Sequence, residues 1–193
     1  RRLARLRMDD ARWRLLLDAL VKEGSVAQSG AFVHLPEHGS QLAARDETLL
    51  QRLTPHLMEA GAQGAWVRDL AEHTGEPAAN LRPAMARLAR SGHLYQVVKD
   101  LYLDAATAAR LAALVRQLAL ENKEPAASDS AEVQRASNPL PILTVARFRD
   151  ASGLGRKRAV QMLEFFDRIG LCRRVGDTHV LRLESEVFKG SSE

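Results

Sequence analysis

Residues 144–182 read TVARFRDASGLGRKRAVQMLEFFDRIGLCRRVGDTHVLR, and the order of signals in them decides the fold. A short helical pattern over 145–151 closes at the Gly-containing turn 152–155, and a long amphipathic run follows over 156–169. In that run Ala159, Met162, Leu163, Phe166 and Ile169 recur at helical spacing, with Lys157, Gln161, Glu164 and Arg168 opposite. Gly170 stops the helix, and 171–175 and 178–183 read as strands paired across Gly176-Asp177. Residues 143–182 hold 9 basic and 4 acidic side chains, net +5, whereas the whole chain, with 28 and 24, is only +4. The positive surplus sits in this stretch, and a polyanion is its expected partner.

Outward from it, the same order occurs twice more. Residues 11–23 carry Trp13, Leu16, Leu17, Leu20 and Val21 at helical spacing, Gly24 stops them, and 25–27 and 31–35 form a hairpin around Gln28-Ser29-Gly30. A short basic helix over 1–6 precedes, with Asp9 or Asp10 as cap, and 36–39 is a linker. Next come a helix over 46–60 that Pro55 should kink or interrupt, a strand at 65–67 and a short helix over 68–73. A turn at 74–76, a helix from Pro77 to Arg90 whose start Pro83 should delay, and a hairpin of 93–98 with 101–103 complete that copy. Asp104 caps a third opening helix running to about 122.

The helix-stop glycines Gly24, Gly92 and Gly170 are 68 and 78 residues apart, and the segment 121–141, rich in Ala, Ser, Glu and Pro, accounts for the longer interval as a flexible insertion. A unit of helix, strand, helix, turn, helix and hairpin is a winged helix. The expected fold is mainly α with small β-hairpins (α+β), as tandem winged-helix domains. Residues 1–42 form a partial copy (helix 2, helix 3 and wing), 43–104 a complete copy acting as spacer, and 105–188 the terminal copy, which carries the basic stretch and is expected to bind the polyanion.

Composition narrows the function. At 46% hydrophobic and 27% charged this is ordinary globular protein, and 5% aromatics favour helix over sheet. No apolar run approaches the 18 or so residues of a membrane span, no signal peptide is visible, and a start at Arg1-Arg2 suggests a piece of something longer. One cysteine, Cys172, excludes an internal disulfide and fits a reducing compartment; it reads as an unreactive, half-buried strand residue. Gly153-Leu154-Gly155-Arg156-Lys157 lacks the spacing and hydroxyl of a phosphate loop and reads as a turn between helices. His34 and His38 are denied a helix by Pro36, and His56, His73, His93 and His179 read as scattered surface residues. Catalysis and a bound cofactor are not expected.

A nucleic-acid interface is. Arg156, Lys157 and Arg158 crowd a helix start, where cations oppose the helix dipole, and Gly155 at the cap position leaves backbone N–H groups uncovered. A phosphate would satisfy both. The wing adds Arg173 and Arg174 before its tip and Thr178 beyond it. Residues 15–142, with 12 basic and 15 acidic side chains, have no comparable cluster. Residues 1–14 do, at 6 against 2, and read as a solvated face or a secondary contact.

Residues 148–182 closely resemble the last winged helix of the bacterial selenocysteine-specific elongation factors (SelB). The likeness rests on Phe148-Arg149-Asp150, Gly155-Arg156-Lys157, Leu163-Glu164-Phe165-Phe166-Asp167 and Arg173-Arg174-Val175-Gly176-Asp177. Residues 46–120 resemble the preceding unit more loosely, and 1–36 the end of the unit before that. The resemblance implies binding of the selenocysteine insertion hairpin of an mRNA, tethering the factor near an in-frame UGA codon. It maps RNA contacts to Arg156, Lys157, Gln161, Arg173 and Arg174, beside the clustered Gly155, Arg158 and Thr178. The ribosome and selenocysteinyl-tRNA would be partners of the full-length protein, and GTP and Mg ligands of a GTPase domain outside this chain. A cytoplasmic monomer is expected. Members often have Ser or Thr where Gly155 stands. Two other readings fit the repeat alone: a tandem winged-helix DNA-binding regulator, and a protein–protein docking scaffold.

Overall fold

The computed structural model describes residues 10–29, 32–36, 44–121, 123–124 and 140–188. Helix α1 (Asp10–Glu23) leads into a hairpin of β1 (Ala27–Ser29) and β2 (Phe32–His34), with Ala27 opposite His34. The first strand starts two residues later than the sequence suggests. Past Gly24 (φ +80°), the N–H groups of Ser25 and Val26 both turn back to the Leu20 carbonyl, closing the helix and withholding those residues from the ladder. The basic helix expected over 1–6 and most of the linker at 36–39 lie outside the described residues.

The second unit runs α2 (Ala44–Ala60), a 3-10 turn (Gly61–Gln63), β3 (Ala65–Trp66), α3 (Val67–Thr74), α4 (Ala78–Arg90), β4 (Leu94–Val98) and β5 (Leu101–Asp104). Its antiparallel sheet has the order β3-β5-β4. Neither the interruption expected at Pro55 nor the later helix start expected at Pro83 occurs: α2 and α4 run through both. Each proline strips one carbonyl of its partner, that of Gln51 or Ala79, and all four residues are exposed, where water can take over. Leu53, Leu57, Leu70, Leu81, Met85 and Leu88 close the core beneath the sheet.

The third unit runs α5 (Ala105–Glu121), β6 (Lys123–Glu124), β7 (Leu140–Thr144), α6 (Val145–Ser152), α7 (Arg156–Arg168), β8 (Cys172–Val175) and β9 (Thr178–Leu181), with sheet order β6-β7-β9-β8. Asp104 caps α5 as expected, its Oδ1 accepting the Thr107 N–H at 2.8 Å. The segment 121–141 is not an insertion throughout. Glu121 is still helical, and Lys123 and Glu124 pair with Pro141 and Leu140; residues 125–139 lie outside the described ones. Strand β7 escapes a sequence reading because Pro139 and Pro141 mimic a turn, yet it places Leu143 fully inside.

One core spans both complete units. Tyr95, Val97, Leu101 and Leu103 of the second join the inner face of α5 and Phe165, Phe166 and Phe188 of the third. Tyr95 meets Phe165 and Phe188 edge-on at centroid distances of 6.2 and 5.0 Å. Arg168 reaches across to the carbonyls of Gln96 (3.0 Å) and Val97 (2.6 Å), while Arg116 of α5 donates to the carbonyls of Ser185 and Val187. Among the described residues no helix is long and apolar enough to cross a membrane.

Candidate nucleic-acid interface

The site is built where α6 turns into α7. Thr144 caps α6, accepting the Arg147 N–H at 3.3 Å, and Gly153 ends it in the left-handed region at φ +68°. Gly155 then stands at the cap of α7 in extended backbone (φ −66°, ψ 153°) without a side-chain cap, and its carbonyl accepts the first helical bond from Ala159 at 2.9 Å. The first-turn N–H groups face solvent with the positive end of the helix behind them.

At that start Arg156 and Lys157 are exposed, and on the wing strand β8 Arg173 is exposed as well. Among the described residues none of the three has an ion-pair partner. Arg174 bends back to the Gly176 carbonyl (3.1 Å) and lies 3.7 Å from Glu164 of α7. Thr178 gives its hydroxyl proton to the Val175 carbonyl at 2.9 Å, closing the wing turn. Between helix and wing runs an open groove of about 480 Å³, with Ala146 and Val160 in its lining and Arg156, Glu164, Arg174 and Thr178 along it. Arg156 also borders a smaller notch of about 150 Å³ with Arg149. Sequence reasoning missed Arg149 because Asp150 follows it and pairs with it at 2.6 Å. Only the α6–α7 angle brings it beside Arg156.

Three expectations change. Arg158, grouped in sequence with the phosphate-facing cations, is turned the other way. Its guanidinium lies 5.3 Å from the centroid of Trp66, in the second unit, and donates to Gln161 Oε1 at 2.9 Å. Burial holds its pKa below the ordinary arginine range, and its Nε is buried without a partner. The cause is helical period: two residues after Arg156, a side chain is carried round towards the junction. His179 is not on the surface either. It is 3% exposed on β9, with Nδ1 2.8 Å from Asp167 Oδ2, tying the wing to α7. Cys172, expected half-buried, is wholly enclosed, and burial and the nearby Asp167 carboxylate push its thiol up to about 12.

The second unit contrasts with the third. Its equivalent helix α4 carries Arg82, Arg87 and Arg90, but Arg82 pairs with Asp100 at 3.0 Å. Arg87 holds the buried Asp46 through two bonds of 2.6 and 2.7 Å, and Arg90 donates to the Ala86 carbonyl. Those cations already have oxygen partners. Among the described residues no group of three or more His, Cys, Asp or Glu could hold a metal ion. The His34 side chain and His38 lie outside them.

Two family profiles match, both described as "Elongation factor SelB, winged helix", over residues 1–35 and 138–181. The selenocysteine-specific elongation factor of Escherichia coli (strain K12) is 32% identical over 182 residues, covering 94% of this chain and 26% of that protein. That of Haemophilus influenzae is 29% identical, over 89% of this chain and 25% of the relative. The chain thus spans about a quarter of the length of these curated relatives. A solved structure of the mRNA-binding domain of elongation factor SelB from E. coli in complex with SECIS RNA matches at a TM-score of 0.58 and 32% identity, over 73% of this chain and 99% of the other.

Proposed function

Because this chain belongs to the winged-helix family of elongation factor SelB, we propose that it grips the selenocysteine insertion hairpin of an mRNA through α7 and the wing of its last unit. The observation that carries the reading is the uncapped start of α7 with Arg156 and Lys157 exposed and without an ion-pair partner upon it, and Arg173 likewise on the wing strand β8. Every arginine of α4 is tied internally. Unpaired cations beside free N–H groups are a phosphate site.

RNA chemistry sets the docking. The deep, narrow major groove of an A-form stem rejects a helix, so α7 and the wing meet backbone and the unstacked bases of a bulge or loop. No aromatic side chain stands on the exposed face of α7, and phosphate contacts therefore dominate. In the longer protein such a grip tethers the factor beside an in-frame UGA codon, with selenocysteinyl-tRNA, the ribosome, GTP and Mg engaged by other domains in the cytoplasm. This chain itself works as a cofactor-free, monomeric, non-catalytic binding module.

The test compares a bulged-stem hairpin RNA, matched duplex DNA and an unrelated RNA across salt. The hairpin should bind preferentially. Replacing both Arg156 and Lys157 by Ala should weaken it by about 1.5–3 kcal/mol per lost charged contact and flatten the salt slope. Preference for duplex DNA would move the chain to the regulators, and affinity indifferent to sequence would leave a docking scaffold.

A further inference from the structure

Gln161 lies one helical turn beyond Lys157 on α7, partly exposed, and its amide accepts a hydrogen bond from Arg158 Nη1, 2.9 Å from Oε1. A guanidinium has donors and no acceptor. It therefore fixes which end of the amide it meets: the oxygen turns towards Arg158 and the NH2 group turns away from it. Arg158 in turn is held by the second unit. Its guanidinium sits over Trp66 of β3 at 5.3 Å, and its Nε is enclosed at the junction. Trp66 is placed independently by the ladder, opposite Leu101 of β5.

We infer that Arg158 and Trp66 are positioning residues for RNA recognition: by holding Oε1 on the Arg158 side they turn the NH2 group of Gln161 outward, to donate to an acceptor on the hairpin. This rests on the hairpin-binding reading above. A free glutamine offers either end of its amide, and so accepts a base edge of either polarity. With Oε1 turned to Arg158 and the NH2 group turned outward, Gln161 favours acceptors, such as a carbonyl oxygen or ring nitrogen of an unstacked base, over exocyclic amines. The second winged helix thereby shapes the specificity of the third without touching the RNA.

The chain is tested whole, with a bulged-stem hairpin RNA as probe and thermal melts to confirm folding. Arg158→Ala should weaken hairpin binding by about threefold to tenfold, the scale of one oriented hydrogen bond. It should do so without altering the salt slope, because this guanidinium meets no phosphate; Arg156→Ala should lower that slope by roughly one phosphate's share. In a Gln161→Ala background Arg158→Ala should cost nothing further. Gln161→Glu, which keeps the oxygen for Arg158 and removes the donors, should bind no better than Gln161→Ala. Trp66→Ala should reproduce part of the Arg158→Ala loss and Trp66→Phe, which keeps a ring, should restore it.

A salt slope lowered by Arg158→Ala would overturn the inference, as would additive losses for Arg158 and Gln161, or unchanged affinity in Arg158→Ala. Should Arg158→Ala fail to fold, the Gln161→Glu and Trp66→Phe comparisons decide alone. An unaltered chain that does not prefer the hairpin defeats the proposed function instead, a result separate from all of these.

Discussion

Gly155 offers a perturbation that moves stability and binding in opposite directions. It stands at the cap of α7 with ordinary extended backbone, and a Cβ built there meets nothing within 4 Å. Gly155→Asp therefore fits without strain. Its carboxylate would accept a first-turn N–H and sit at the positive end of the helix, gains of a few tenths of a kcal/mol for the cap and about 0.3–1 kcal/mol for the dipole. For a chain of 193 residues that raises Tm by about 1–4 °C. The same carboxylate occupies the place assigned to a phosphate. A unit charge about 5 Å from a phosphate costs roughly 1–3 kcal/mol at an effective dielectric between those of water and a protein surface, or about fivefold to hundredfold in Kd. Differential scanning calorimetry and hairpin titration on one preparation read both numbers. A raised Tm with unaltered hairpin affinity at moderate salt would refute a phosphate site at the α7 start.

Asp46 gives a pH test. The Arg87 hydrogen bonds hold its carboxyl below the ordinary carboxylate range. A folded-state pKa lower than the unfolded one stabilises the fold fully above the unfolded value, near 4, and the benefit disappears as pH falls through the depressed value. The Tm gap between the unaltered chain and Asp46→Asn should therefore be wide at pH 6 and shrink towards pH 3; a constant gap removes the pair from the stability account. Cys172, enclosed with its thiol raised to about 12, should resist iodoacetamide at pH 8 in the folded chain and react only in denaturant. Rapid labelling of folded protein would contradict its burial.

Element types along the complete units were legible because each rests on local signals. Leu81, Met85 and Leu88 mark one helical face, Asp104 announces a cap, and Gly92 and Gly170 mark the stops. Errors fell where non-local structure outweighs local chemistry. Pro55 warns of an interruption and Pro83 of a later start, yet tertiary burial of Leu53, Leu57 and Met85 holds both helices whole. Strand β7 has one proline before it and one inside it, and becomes a strand because β6 and β9 pair with it. At the candidate site, the exposure of Arg156 and Lys157 at a helix start was legible from charge and position. Arg158 is carried away from Arg156 by the helical period, but the surface that receives it, Trp66, lies 92 residues earlier in sequence and gave no local signal. Arg149 was missed because the α6–α7 angle is not written in either helix.

The core shared by the two complete units bears on how the chain is made. Tyr95 and Val97 belong to a hairpin that pairs locally, yet their apolar partners Phe165 and Phe188 lie about 70 to 90 residues later. On a ribosome adding about 5–20 residues per second, the second unit waits several seconds with that face uncovered. Its hairpin can form in microseconds but cannot close until the last helix and residue 188 emerge. Docking of Phe188 onto Tyr95 should then be among the final folding events, and a stalled or truncated chain would present that bare aromatic surface to chaperones.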